Sequence, residues 1–250
     1  MNRKTKVWAH RGASGFDKRY APENTMPAFE KAVQMGADGI ETDVQLSRDG
    51  AVMICHDEKI DRTSDGSGYL KDFTIKELKA FSFSKTHPEY GHVEIPALEE
   101  LLAFLKDTDL TLDMELKTGL IYYDGLEEKT IDLVHRYGMD DRVIYSSFNH
   151  YSLQKLRLIN PEVKTGLLIS DDHISSEDIR VLRADAVHPS LDISQNRRIQ
   201  KWHDLGCKVN VWTVDRKAEM LRLSVLGADA IITDCPDCAR KIVDGDYSEL

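Results

Sequence analysis

The sequence has no run of 18 apolar residues, which excludes a membrane-spanning helix of ordinary length. It has four cysteines in 250 residues (Cys55, Cys207, Cys235 and Cys238), too few for a disulfide scaffold. Cys235-Pro-Asp-Cys238 is a CxxC without a second pair or a thioredoxin-like context, so it reads as two small residues opening a terminal helix. Glycine and proline are scarce, at 15 and 7. With 41% apolar and 30% charged residues, the chain is neither collagen-like, low-complexity nor largely disordered. Positive charge is also short. Lys and Arg number 33 against 43 Asp and Glu, the net charge is −10, and no basic run exceeds a pair such as Arg197-Arg198. That balance repels phosphate backbones and anionic lipid at long range, so neither nucleic acid nor stable membrane insertion is expected. The N-terminus carries the positive charges of a signal peptide but lacks the apolar stretch that must follow, so a cytoplasmic location is expected. The sequence leaves the oligomeric state open.

What is present is a length of 250 residues, close to the typical size of an α/β barrel. Short β-branched runs alternate with segments of helical period. The expected strands are 6–10, 39–46, 110–116, 143–148, 164–169, 186–189, 208–214 and 230–234. The expected helices are 24–35, 97–106, 127–137, 150–159, 176–183, 196–205, 216–226 and 236–243, and Gly36, Gly138, Gly206 and Gly227 stand where four of them should stop. Eight strands each followed by a helix make a closed (β/α)8 TIM barrel the economical α/β architecture, with an open doubly wound sheet as the alternative. A weak internal echo supports this count. Met35-Gly-Ala-Asp-Gly-Ile-Glu-Thr-Asp43 resembles Leu226-Gly-Ala-Asp-Ala-Ile-Ile-Thr-Asp234, two helix-to-strand junctions of one design.

One stretch breaks the alternation. Residues 58–96 hold Asp65-Gly-Ser-Gly68, a capping-box start at Thr74-Ile-Lys-Glu77, and the polar tail His87-Pro-Glu-Tyr-Gly-His92. Ordinary βα loops take about 2–6 residues, so this segment is expected to be an insertion subdomain within a single domain, 1–250, lying over the active-site face.

Functional residues of a barrel stand at the carboxyl ends of its strands. There the sequence places His10 and Arg11, then Glu41 and Asp43, then Asp113, Glu115 and Lys117, and later Trp212. Side chains alternate along a strand, so Glu41 shares a face with Asp43, and Asp113 with Glu115 and Lys117, while Leu112, Met114 and Leu116 pack outward. Acidic strands facing one cavity invite a hard divalent cation, with a structural salt-bridge network through Lys117 and Arg11 as the alternative. A second histidine arrives through a hairpin. If Asp49-Gly50 forms a two-residue type I′ turn, Arg48 pairs with Ala51 and, counting back, Asp43 lies opposite His56. Two histidines suit acid and base roles, and a metal with Arg11 and Lys117 suits a group whose negative charge grows in the transition state. Phosphoryl transfer to water or to an internal hydroxyl fits this set best.

His10-Arg-Gly-Ala-Ser-Gly15, Ala21-Pro-Glu-Asn-Thr25, Gly39-Ile-Glu-Thr-Asp43-Val, the Asp49-Gly and His56-Asp57 hairpin, Asp113-Met-Glu115-Leu-Lys117 and Val211-Trp212-Thr-Val together resemble the signature series of glycerophosphodiester phosphodiesterases. The motifs come in family order from His10 to Pro236. The resemblance implies a barrel with a small insertion after the His56-Asp57 pair. It implies Glu41, Asp43 and Glu115 as ligands of Mg²⁺ or Ca²⁺, His10 and His56 as the acid-base pair, and Arg11 and Lys117 as phosphate-holding groups. Trp212 would line the site beside the glycerol or alcohol portion. The implied substrate is a small glycerophosphodiester, cleaved to glycerol 3-phosphate and an alcohol. A lysophospholipid substrate and a non-catalytic phosphodiester-binding barrel are the alternatives.

Other positions carry plainer expectations. Asn24 is expected to cap the first helix, Glu23 to orient Arg11, and Asp234 to cap the last helix. Asp113 lies one layer below Glu115, where it could be a buried pairing partner. His87 and His92 are expected to be solvated, as are Lys18 and Arg19 in the first βα loop (16–20), which is longer than the family pattern leads one to expect.

Overall fold

The computed structural model describes residues 5–15, 20–171 and 173–247. The chain runs through β1 (Lys6–His10), α1 (Met26–Gln34), β2 (Gly39–Leu46), β3 (Val52–Ile54), α2 (Ile75–Leu78) and α3 (Leu98–Leu105). It continues through β4 (Thr111–Leu116), α4 (Leu126–Arg136), β5 (Val143–Ser147), α5 (His150–Ile159), β6 (Lys164–Ile169) and α6 (Ser176–Leu182). It ends with β7 (Ala186–Pro189), α7 (Asn196–Asp204), β8 (Lys208–Val211), α8 (Lys217–Leu226), β9 (Ala230–Thr233) and α9 (Pro236–Val243).

The parallel strands close on themselves, because β1 pairs with β2 on one side and β9 on the other. The expected (β/α)8 barrel is therefore correct and the open sheet is excluded. The ninth strand, β3, is antiparallel to β2 and forms the expected hairpin. Two boundaries moved by more than one residue. The strand expected over 208–214 ends at Val211, and the first helix starts at Met26 because Asn24 has a left-handed backbone (φ 55) and turns its amide inward. Residues 1–4, with Arg3 and Lys4, and loop residues 16–19, with Lys18 and Arg19, lie outside the described residues.

Alternation along the strands separates two layers. Outward-facing Leu112, Met114 and Leu116 join the main core with the inner faces of the helices. On α3, Leu98, Leu101, Leu102 and Leu105 repeat at helical spacing and are all fully buried, each worth roughly 1.5–3 kcal/mol over exposure. The inside of the barrel is smaller and more polar. Trp8, Ile144, Ala230 and Ile232 form an apolar plug, with Trp212 packed against it. Two glycines make room for large rings there. A Cβ on Gly39 would lie 2.8 Å from the Trp8 ring, and one on Gly166 would lie 2.4 Å from Nε2 of His188. Close backbone approach is the reason for glycine at both positions.

Residues 58–96 contain short 3₁₀ turns and α2, which opens with the expected capping box of Thr74 and Glu77. Their apolar residues Ile60, Leu70, Leu78, Phe83 and Ile95 cluster with Met53 and Cys55 of the hairpin, apart from the main core. Cys235 caps α9 and is buried, as the reading of small residues at a helix start requires, and neither it nor Cys238 forms a disulfide.

Candidate active site

Three acids reach one point through strand register. In the β2–β4 pairing Glu41 stands beside Asp113, and Asp43 beside Glu115. Oxygens of Glu41, Asp43 and Glu115 all lie within 4.8 Å of one another, and all three residues are buried. Oxygens on opposite sides of a Ca²⁺ ion are about 4.6–5.2 Å apart, so the trio fits around one hard cation. Burial pushes Glu41 well above its ordinary range, with the Asp43 and Asp113 charges adding to it. Burial and then the Asp43 charge push Glu115 up to about 7, against the pull of Lys117. Burial acts on Asp43 too, but Arg11, His56, Lys117 and the Asn24 amide outweigh it and hold that carboxyl well below the usual range. Oδ1 of Asp43 is buried without a hydrogen-bond partner; Lys117 Nζ lies 3.7 Å from it, and Arg11 Nε lies 3.5 Å from the other oxygen. Two acids reluctant to ionise beside one firmly ionised are what a divalent cation would complete.

The cations are held by neighbours. Arg11 has a left-handed backbone (φ 53); its N–H donates to Glu41 at 3.1 Å and its guanidinium to Glu23 at 2.9 Å, as expected for Glu23. Asp43, Glu23 and Glu41 raise the Arg11 pKa despite a large opposing effect of burial. Lys117 donates to Glu115 at 2.9 Å. Both pocket histidines lean on a carboxylate. His10 Nδ1 lies 2.6 Å from Asp234, and His56 Nδ1 lies 2.6 Å from Asp57. The second ring nitrogen of His10 is 4.0 Å from Glu41, so His10 faces the acids.

His56 arrives by a different route from the one expected. The loop has three residues, Arg48 to Gly50, between paired Ser47 and Ala51, with Gly50 at φ 80. A type I turn closed by a left-handed glycine gives this geometry, and Asp49 does not adopt the positive φ that a type I′ turn requires. The register slips by one, so Val44 faces Ile54 and the Cys55 N–H donates to the Asp43 carbonyl. His56 is therefore not the cross-strand partner of Asp43. It reaches the pocket because the chain bends after Ile54 around Gln45. The Gln45 amide donates to the carbonyls of Cys55 (2.7 Å), His56 (3.3 Å) and Asp57 (2.9 Å), and its oxygen accepts from Tyr123 at 2.7 Å.

The profile of the glycerophosphoryl diester phosphodiesterase family matches residues 10–238. The chain belongs to that family. A relative from Caldanaerobacter subterraneus subsp. tengcongensis named glycerophosphodiester phosphodiesterase is 39% identical over 242 residues, 96% of this chain and 98% of its own. One of the same name from Bacillus altitudinis is 37% identical, covering 95% and 98%. Among solved structures, an Oleispira antarctica phosphodiesterase in complex with the product sn-glycerol-3-phosphate superposes with a TM-score of 0.87 at 29% identity, covering 96% of this chain and 97% of that one. An Agrobacterium tumefaciens glycerophosphodiester phosphodiesterase gives 0.81 at 30% identity, covering 96% and 99%.

In this family member one cavity, about 100 Å³, gathers His10, Arg11, Glu41, His56, Glu115 and Trp212. Trp212 is fixed by donating Nε1–H to the His188 carbonyl at 2.7 Å and by an edge-on contact with Phe148. Three plain expectations fail. Asn24 does not cap α1; its amide donates to Asp43 at 2.8 Å and accepts from Thr42 at 2.7 Å. Asp234 does not cap α9 but faces His10. His87 is not solvated but 2% exposed, because Thr86 and Tyr90 enclose its ring. Asp113 does turn out to be a buried partner, with its oxygen 3.2 Å from His188 Nδ1, and the other nitrogen of that ring is 2.9 Å from Asn210. Asp57, Gln45 and His188 had no assigned part. The adjacency of Asp57 to His56 was a usable signal, whereas the contacts of Gln45 and His188 depend on tertiary placement.

Proposed function

We propose that this chain is a metal-dependent phosphodiesterase that hydrolyses a small glycerophosphodiester to sn-glycerol 3-phosphate and an alcohol. One observation carries the reading: two carboxylate-oriented imidazoles, Arg11, Glu41 and Glu115 line a single cavity, with Asp43 adjoining the two acids and Lys117 3.7 Å from Asp43. Glu41, Asp43 and Glu115 would hold Mg²⁺ or Ca²⁺, since an all-carboxylate set favours a hard cation. A bound cation supplies charge withdrawal at the phosphoryl oxygens. Arg11, locked by Glu23, and Lys117 face the same phosphate and favour the more highly charged transition state. His10 and His56 exchange the two protons of the reaction, one taken from the attacking oxygen and one delivered to the departing alcohol. Their carboxylate partners at Nδ1 leave Nε2 as the atom that performs the exchange. Trp212 and Phe148 supply an apolar wall for the carbon skeleton of glycerol. We read 1–250 as one barrel domain carrying 58–96 as its insertion. Among the described residues no helix is long and apolar enough to cross a membrane.

The test is a panel of glycerophosphocholine, glycerophosphoethanolamine and lysophospholipids assayed with Mg²⁺, Ca²⁺ and a chelator. Metal-dependent release of sn-glycerol 3-phosphate from the first two is expected. Turnover of lysophospholipids alone would move the substrate assignment, and no turnover of any diester with either metal contradicts an enzymatic role.

A further inference from the structure

Beside the catalytic cavity lies a second one, about 170 Å³, that shares His10 and Arg11 with it. Its walls differ in kind. The first cavity is built from strand ends and apolar side chains, whereas the second is lined by Ser14 and Gly15 of the first βα loop, Thr86 and His87 of the 58–96 segment, Glu23 and Asp234. The two sources of this wall are tied together. Arg62 bridges Glu23 and Asp57 at 2.6 Å each, and the Tyr90 hydroxyl donates to the Tyr20 carbonyl at 2.5 Å. His87 is held by Thr86 Oγ1 at 2.8 Å from its Nδ1 and by the edge of Tyr90.

A phosphodiester has two arms leaving one phosphorus. Resting on the proposed activity, we infer that the phosphate sits at Arg11, where the cavities meet, and that the second cavity is the binding subsite for the alcohol arm. The glycerol arm, common to every substrate of this class, occupies the cavity fixed by strand ends. The variable arm occupies the one built from loops, where barrel enzymes place selectivity. Hydroxyl, imidazole and carboxylate groups line it, so it selects a small hydrogen-bonding alcohol, an amino alcohol or a polyol, over a bare alkyl group. His87 and Thr86 are its specificity-determining residues.

The experiment compares kcat/KM for glycerophosphoethanolamine with that for the methyl ester of glycerol 3-phosphate, whose alcohol arm is a single carbon. The intact enzyme is expected to prefer the ethanolamine diester at least tenfold. Thr86→Val, which keeps the side-chain shape, and His87→Ala should each cut that ratio several-fold, with folding checked by the thermal midpoint. His87→Asn, which retains a hydrogen-bonding group, should recover part of it. An intact enzyme without the preference, or variants that lower both substrates equally, overturns the subsite while leaving the activity standing. An enzyme inactive on both diesters overturns the activity and the subsite with it.

Discussion

Asp234 and Asp57 do for the two pocket histidines what neither imidazole can do alone, engaging Nδ1 and leaving Nε2 for the proposed proton exchange. Asp234→Asn should lower kcat about 10- to 100-fold, with KM and the thermal midpoint little changed. Steady-state kinetics beside a melting curve checks this, and a matching loss of stability would reduce Asp234 to a structural role. The acids predict a pH effect as well. Glu115 in the fold holds its proton up to about 7, above the ordinary value of 4.5. The stability it contributes without metal is therefore present below about 4.5 and lost as pH rises through 7. Metal-free Glu115→Gln should gain on the parent over that interval in pH-dependent melting, and cation affinity of the parent should rise there by up to about tenfold per pH unit for each proton the cation displaces. Alternation alone placed Glu41, Asp43, Glu115 and Lys117 together, because strand parity is local. Asn24 and Asp234 contact Asp43 and His10 instead of capping helices, although a small polar residue before a helix is the usual signal for a cap. The echo of Asp43 in Asp234, which supports the unit count, is also the sequence signal that points to a strand-end carboxylate there.

The β2–β3 hairpin shows how an element can deliver the right residue by the wrong register. The turn dipeptide Asp49-Gly50 is compatible with two loop lengths, and the one-residue slip between them rests on backbone angles that the sequence does not encode unambiguously. Gln45 then makes up the difference through three carbonyls of the 55–57 bend. Gln45→Ala should leave the barrel folded, cost about 1–3 kcal/mol in denaturant unfolding, and lower kcat roughly tenfold by loosening His56. Wild-type kcat in a destabilised variant would separate Gln45 from the site. On β6, Gly166→Ala should destabilise by about 1–3 kcal/mol, since the new methyl collides with the buried His188 ring. Unfolding at unchanged midpoint would contradict that packing.

For the whole molecule, the eight strand-helix units and the break at 58–96 were legible because periodicity, glycine stops and length all agreed. Closure was not, since it depends on the pairing of β1 with β9, whose paired residues begin with Lys6 and Ala230. The acidity also divides in meaning. The net charge of −10 includes three carboxylates gathered inside the barrel, where a cation would relieve their repulsion. Mg²⁺ or Ca²⁺ at about 100 times its Kd should therefore stabilise the fold by roughly 2.7 kcal/mol, read as a rise in thermal midpoint that Glu41→Gln abolishes. The most direct measurement is release of sn-glycerol 3-phosphate from glycerophosphoethanolamine by the parent after chelation, by the same sample after Mg²⁺ or Ca²⁺ is restored, and by folded Glu41→Gln. Loss on chelation, return with the cation and no activity in the variant are predicted. Full turnover in the chelated parent or in Glu41→Gln would contradict a metal-dependent site at these carboxylates.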